Sequence, residues 1–288
     1  MDPRQFMAAA RVLIVAGKGG VGKSTVAATL VTAARKLDLT ATLVETDGKP
    51  LLVDPSGDPG LTARTITPAD ALSEYLDRSG LRRISRRLVS SGIVDVVASA
   101  SPGIDNLLVL GKIKQLERSA SSDLIVVDAP AAGHALTMLR TPRAMADSVP
   151  VGPILQQAND VLQMLNDESR CQVMLVTLPE STPVNESVET AFSLEEDVGV
   201  RLAPIVVNRF DTARTLDVPS GLDPDTSVVR AARYRNARLA SQSHALSELD
   251  RRLPLPRLHL PLGTTFTLDE RADQMLDAIR SLRDESPS

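Results

Sequence analysis

The chain has 288 residues, 43% of them hydrophobic and 24% charged, with a formal charge of −4 and a single cysteine. One cysteine excludes a disulfide framework and an intrachain Cys-x-x-Cys zinc site, and the acidic balance argues against a surface built to coat nucleic acid. Aromatic residues make up only 2% and tryptophan is absent, so the core must be built from Val, Leu, Ile and Ala, as in a parallel sheet covered by helices on both faces.

The N-terminal "MDPRQFMAAA" has no signal-peptide layout and leads into an apolar run, "RVLIVA" (11–16), read as the first strand. The glycine-rich "GKGGVGKST" (17–25) follows, with a helix expected from about Ser24. Further strands are predicted at "ATLVET" (41–46), "DLIVVD" (123–128), "QVMLVTL" (172–178), "APIVVN" (203–208) and "PRLHLPL" (256–262). Each is a short continuous apolar run of the kind buried on both faces, and their alternation with helical segments predicts right-handed crossovers and a mainly parallel α/β sheet flanked by helices. Residues 50–118 are long for one crossover. Helices are predicted there at 67–78, with Thr67 and Pro68 as its start signal, at 81–91 and at 104–119. The expected organisation is a nucleotide-binding domain made of 1–49 and 119–288, with a small helical insertion at 50–118. Residues 211–227 read as an exposed loop, followed by a long helix over roughly 228–252. No apolar run reaches the ~18 residues of a membrane span, so no integral membrane segment is expected and a cytoplasmic location is.

Ligands of such sheets bind at the carboxyl ends of the strands, and the informative residues fall there. Gly17-x-x-x-x-Gly22-Lys23-Ser24 lies between a strand and a helix, the context of a phosphate-binding loop. Gly17, Gly19, Gly20 and Gly22 let backbone N–H groups from Val21 to Thr25 turn onto phosphates at a helix N-terminus. Lys23 is placed to hold the β- and γ-phosphates and Ser24 to bring its hydroxyl to Mg²⁺. Asp47, just past the second strand, is either a carboxylate that orients the attacking water or a Mg²⁺-bound water, or a turn aspartate. Asp128 ends the "DLIVVD" strand, where a carboxylate takes a Mg²⁺-coordinated water. His134 is either a γ-phosphate sensor or a helix cap. Arg82, Arg83, Arg86 and Arg87 form a basic stretch that either docks an acidic partner or lipid headgroups, or is a solvated face over Leu81, Ile84 and Leu88.

The second lysine of the loop, Lys18, points to a family. "GKGGVGKST" resembles the deviant phosphate loop, GKGGVGK[ST], and residues 128–134, Asp-Ala-Pro-Ala-Ala-Gly-His, resemble the Asp-Thr-Ala-Pro-Thr-Gly-His switch of the anion-transporting ATPases. That family comprises the arsenical pump-driving ATPases and relatives that deliver tail-anchored membrane proteins. Asp47 matches its first switch aspartate, and Asn208 in "VVNRF" (206–210) its adenine-contacting asparagine. "GIDNLLVLGKIKQLE" (103–117) and "VPVGPILQQANDVLQML" (149–165) are most similar to the short actinobacterial members. The resemblance implies ATP and Mg²⁺ as ligands, with Lys18 crossing a dimer interface to the partner's nucleotide. It also implies a client or membrane-associated partner protein. Three departures qualify it. The chain lacks the two cysteines of a zinc clamp, so a homodimer, or a heterodimer with a paralogous ATPase, would be held by its nucleotide interface. Gly48-Lys49-Pro50 stands where the family usually has Pro-Ala-His. Cys171 alone cannot build an arsenite site, so arsenical transport is not expected. The resulting expectation is a Mg²⁺-dependent ATPase switched between open and closed dimers. Its alternatives are a nucleotide-binding structural subunit with little turnover and, less favoured, a partition or septum-site ATPase.

Overall fold

The computed structural model describes residues 1–78, 103–218, 223, 226–263 and 266–282. The predicted helix at 81–91 and the arginines 82, 83, 86 and 87 lie outside the described residues.

The element order is α1 (Pro3–Met7), β1 (Val12–Ala16), α2 (Lys23–Lys36), β2 (Ala41–Glu45), β3 (Leu61–Thr65), α3 (Pro68–Arg78), α4 (Ile104–Ser119), β4 (Leu124–Asp128), α5 (Ala132–Ser148), α6 (Pro153–Leu165), β5 (Cys171–Thr177), α7 (Ser181–Ser193), β6 (Arg201–Leu202), β7 (Ile205–Phe210), α8 (Ser227–Arg252), β8 (Arg257–Pro261) and α9 (Leu268–Arg280). One π-turn, Leu194–Val198, extends α7. The strands run in the order β3-β2-β4-β1-β5-β7-β8, with β6 paired to β5, and every pairing is parallel. All six predicted strands are present. Two were not anticipated. The first is β3, which shows that 50–118 is not wholly helical and adds a strand beyond β2; the second is the two-residue β6.

Strand side chains alternate between two cores, as the period of two requires. Val12, Ile14 and Ala16 face α4, α5, α6 and α7, whereas Leu13 and Val15 face α2 and α9. Burying each Val, Leu or Ile in these layers contributes about 1.5–3 kcal/mol before conformational entropy is counted. The C-terminal helix α9 starts with a capping box between Thr267 and Glu270. It presents Ala272, Met275, Leu276 and Ile279 to the α2 side of the sheet. Its apolar face is therefore spent on the core, which argues against the membrane-binding tail of a septum-site ATPase. Among the described residues no helix is long and apolar enough to cross a membrane.

β1 is the pivot of this topology. It pairs with β4 on one side and β5 on the other, so chain order changes direction around it. The crevice beyond its carboxyl end is the position where doubly wound sheets take ligands.

Candidate active site

The segment from β1 to α2 is a compact turn held by its surroundings. Gly17 has φ +149°, and a Cβ there would come within 2.3 Å of the Val176 carbonyl oxygen of β5. Gly22 has φ +95°, and its Cβ would come within 2.4 Å of Asn208 Nδ2. Both positions combine a backbone conformation that disfavours L side chains with a close neighbour, so glycine is required twice over. The first helical bond of α2 runs from the Val26 N–H to the Gly22 carbonyl at 2.9 Å. The N–H groups of Lys23, Ser24 and Thr25 precede it, and they bring the positive end of the helix dipole with them.

Lys23 is buried, with Nζ 3.3 Å from the Lys18 carbonyl oxygen. Burial lowers its pKa, Lys49 lowers it further, and Asp128 and Asp47 oppose the change. Asp128 is also buried, at the end of β4, beside Val15 of β1 and Glu45 of β2 in the strand registers. Burial pushes its carboxyl up from the usual range, against the pull of the Ser24 hydroxyl, Lys49 and Lys23, while Glu45 adds to the rise. Asp128 Oδ1 is buried without a hydrogen-bond partner. An acceptor left bare beside Ser24 at a helix N-terminus suits a cation or its bound water, because an unsatisfied buried oxygen is otherwise costly.

Two residues that the sequence reading missed complete this end of the sheet. Glu45 is buried; its Oε1 accepts the Asp47 N–H at 2.6 Å and its Oε2 has no partner. Glu186 on α7 forms an ion pair with Lys18, each side chain more than one-third exposed. Such exposed pairs contribute ~0–1 kcal/mol and exchange readily. Within one chain Lys18 thus has a partner of its own. Asp47 is exposed just past β2 and pairs with Lys49, Nζ to Oδ2 2.7 Å.

Asn208 is buried at the carboxyl end of β7. Its Nδ2 donates to the Val21 carbonyl at 2.8 Å, and its Oδ1 accepts the Arg209 N–H at 2.9 Å, with Arg209 at φ +57°. The side chain thereby ties the phosphate-loop backbone to β7. His134 is exposed in the first turn of α5, where Ala131 occupies the N-cap and no side chain caps the helix. The cap alternative for His134 is therefore discarded.

The structure thus gathers Lys18, Lys23, Ser24, Asp47 and Asp128 at one sheet end, with Asn208 on the far side of the loop. Among the described residues no cluster of three His, Cys, Asp or Glu forms a metal cage. Mg²⁺ has no need of one, since it is commonly held by one or two protein groups together with phosphates and water.

The model of the anion-transporting ATPases matches residues 10–157, just over half of the chain and the stretch that carries the phosphate loop, Asp47 and Asp128. The chain belongs to the anion-transporting ATPase family. Within the family it is similar to ATPase BagA of Mycobacterium tuberculosis, 27% identical over 92% of this chain and 93% of that protein. A putative arsenical pump-driving ATPase of Halobacterium salinarum is 26% identical over 88% of this chain and 41% of its own length. ATPase get3 of Schizosaccharomyces japonicus is 28% identical over 52% of each chain. Glu186 and Asn208 lie beyond the residues that the family model matches. Their place beside the loop is a result of the fold.

Proposed function

We propose that the chain hydrolyses ATP with Mg²⁺ as a nucleotide-switched dimer and couples that cycle to a client or partner protein. The observation that supports this most is the end of β1. There a glycine turn, the open N-terminus of α2, a buried Lys23 and the bare Oδ1 of Asp128 converge where a polyphosphate chain would lie.

The N–H groups of the loop and α2 would bind the phosphate oxygens, and Lys23 would bridge the β- and γ-phosphates. Mg²⁺, when bound, neutralises charge on the β- and γ-oxygens. Ser24 and Asp128 would hold it, the aspartate through water. Asp47 would orient the attacking water and accept its proton as the new P–O bond forms and the bond to the leaving ADP oxygen breaks. Lys18, released from Glu186, would reach the partner subunit's nucleotide and stabilise charge on the transferring phosphoryl group, a role worth on the order of 10³–10⁵-fold when an arginine supplies it.

Mixing Lys18→Ala with Lys23→Ala chains tests the shared site. Each variant alone should be inactive. In a mixed dimer, however, Lys18 of the Lys23→Ala chain serves the intact loop of the other, and random pairing restores about a quarter of the wild-type rate per chain. Wild-type turnover should rise cooperatively with protein concentration. An inactive mixture beside an active wild type would refute the trans lysine. The position of Lys49 on Asp47 favours a second reading, a nucleotide-binding subunit that turns over only with a paralogous partner. A wild-type chain that binds ATP but shows a flat, negligible rate at every concentration would support that reading.

A further inference from the structure

Lys49 stands in the nucleotide crevice without a role in the scheme above. It lies two residues past Asp47 in the turn around Gly48, and the turn brings its Nζ to 2.7 Å from Asp47 Oδ2. Asp128 and Glu45 also act on it electrostatically, and it in turn acts on Lys23. Lys49 thus touches Asp47 and acts electrostatically on the lysine that would hold the phosphates and on the carboxylates of Asp128 and Glu45. Among the described residues, Lys49 and Lys23 are the cations that act on Asp128, while Lys18 is paired with Glu186. An incoming polyphosphate brings more negative charge and needs a mobile cation. Lys49 is the suitable one, since its pair is exposed, sits on a turn and is cheap to break.

We propose that Lys49 is a phosphate-sensing lysine that occupies Asp47 in the nucleotide-free chain and transfers to the terminal phosphate of a bound triphosphate, leaving Asp47 free to orient water. A diphosphate, which lacks the terminal group, leaves Lys49 on Asp47, so the residue separates triphosphate from diphosphate. The inference rests on the phosphate loop binding ATP as proposed above.

Fluorescent ADP and a fluorescent non-hydrolysable ATP analogue, titrated into the full chain with and without Mg²⁺, provide a readout that does not depend on turnover. Lys49→Ala should weaken the triphosphate about 10-fold, the value of one charge-assisted contact, and shift ADP by less than about 2-fold. Lys49→Arg should retain most of the discrimination. Asp47→Asn should tighten the triphosphate up to about 5-fold, because no ion pair has to be broken. Equal losses for both nucleotides in Lys49→Ala, or no loss for either, overturn the proposal, as does an Asp47→Asn chain that binds the triphosphate no more tightly. Lys23→Ala serves as the reference. If the wild type binds neither nucleotide, or if Lys23→Ala leaves both affinities intact, the proposed ATP site itself fails and this inference falls with it. Lys23-dependent binding that is blind to Lys49 overturns the inference alone.

Discussion

Gly22→Ala isolates the link between the phosphate loop and β7. The substituted residue would sit at φ +95° with its Cβ 2.4 Å from Asn208 Nδ2. An L residue in left-handed backbone costs about 1–2 kcal/mol. To clear the methyl group, Asn208 must also swing away and give up its bonds to the Val21 carbonyl and the Arg209 N–H, at about 0.5–1.5 kcal/mol each. Together these predict a loss of about 2–5 kcal/mol. Asn208→Ala forfeits the same two bonds, about 1–3 kcal/mol, but leaves the space empty. The effects should therefore not add. In a Gly22→Ala background, Asn208→Ala should cost under about 0.5 kcal/mol, because its bonds are already gone. Urea unfolding of the four chains of this cycle, compared at constant m-value, measures the coupling. A Gly22→Ala chain within about 0.5 kcal/mol of wild type, or fully additive substitutions, would refute the reasoning.

Asp128→Asn should stabilise the nucleotide-free chain near neutral pH while abolishing the proposed hydrolysis. Burial raises the Asp128 carboxyl above its unfolded value, so the native chain favours the protonated form. The associated stability is complete below the ordinary carboxylate pKa and is lost as pH rises through the raised one. The gain from Asn should thus shrink as unfolding is repeated towards acid pH, and an Asn variant less stable than wild type at neutral pH would contradict this. Cys171 is buried and its thiol is pushed up to about 12 by burial. A thiol-reactive chromophore at mildly alkaline pH should label the native chain negligibly and the urea-unfolded chain at its single cysteine; rapid native labelling would mean that the start of β5 opens far more often than its packing implies.

The most legible parts of the sequence were those written in consecutive residues. The phosphate loop needs only nine positions between one strand and one helix, and its conformation follows from where the glycines fall. The central strands were legible because their burial on both faces leaves unbroken Val, Leu and Ile runs. β3 was not, since "LTART" is an edge strand whose residues are half-buried or exposed, so it has neither a continuous apolar run nor clean alternation. Glu186 could not be read because its contact with Lys18 spans 168 positions, and no local pattern marks a surface glutamate as a partner of a loop lysine. Glu45 and Lys49 flank Asp47 and were visible as charges. Only the strand register and the turn around Gly48 show that both share its crevice. Asn208 was found through family likeness, yet the two bonds that define its place here depend on tertiary packing.

The position of β1 also has a consequence during synthesis. It lies within the first sixteen residues, yet its neighbours begin at Leu124 and Cys171. At a ribosomal rate of about 5–20 residues per second, the strand waits on the order of ten seconds or more for its second partner. Through that interval five apolar residues have open ladder groups on at least one side, the kind of edge that invites pairing with the wrong chain. The loop's first turn waits as well, because Gly17 is seated against Val176 of β5. A nascent chain halted before Cys171 therefore contains every residue of the glycine loop but not the strand against which its first glycine is seated.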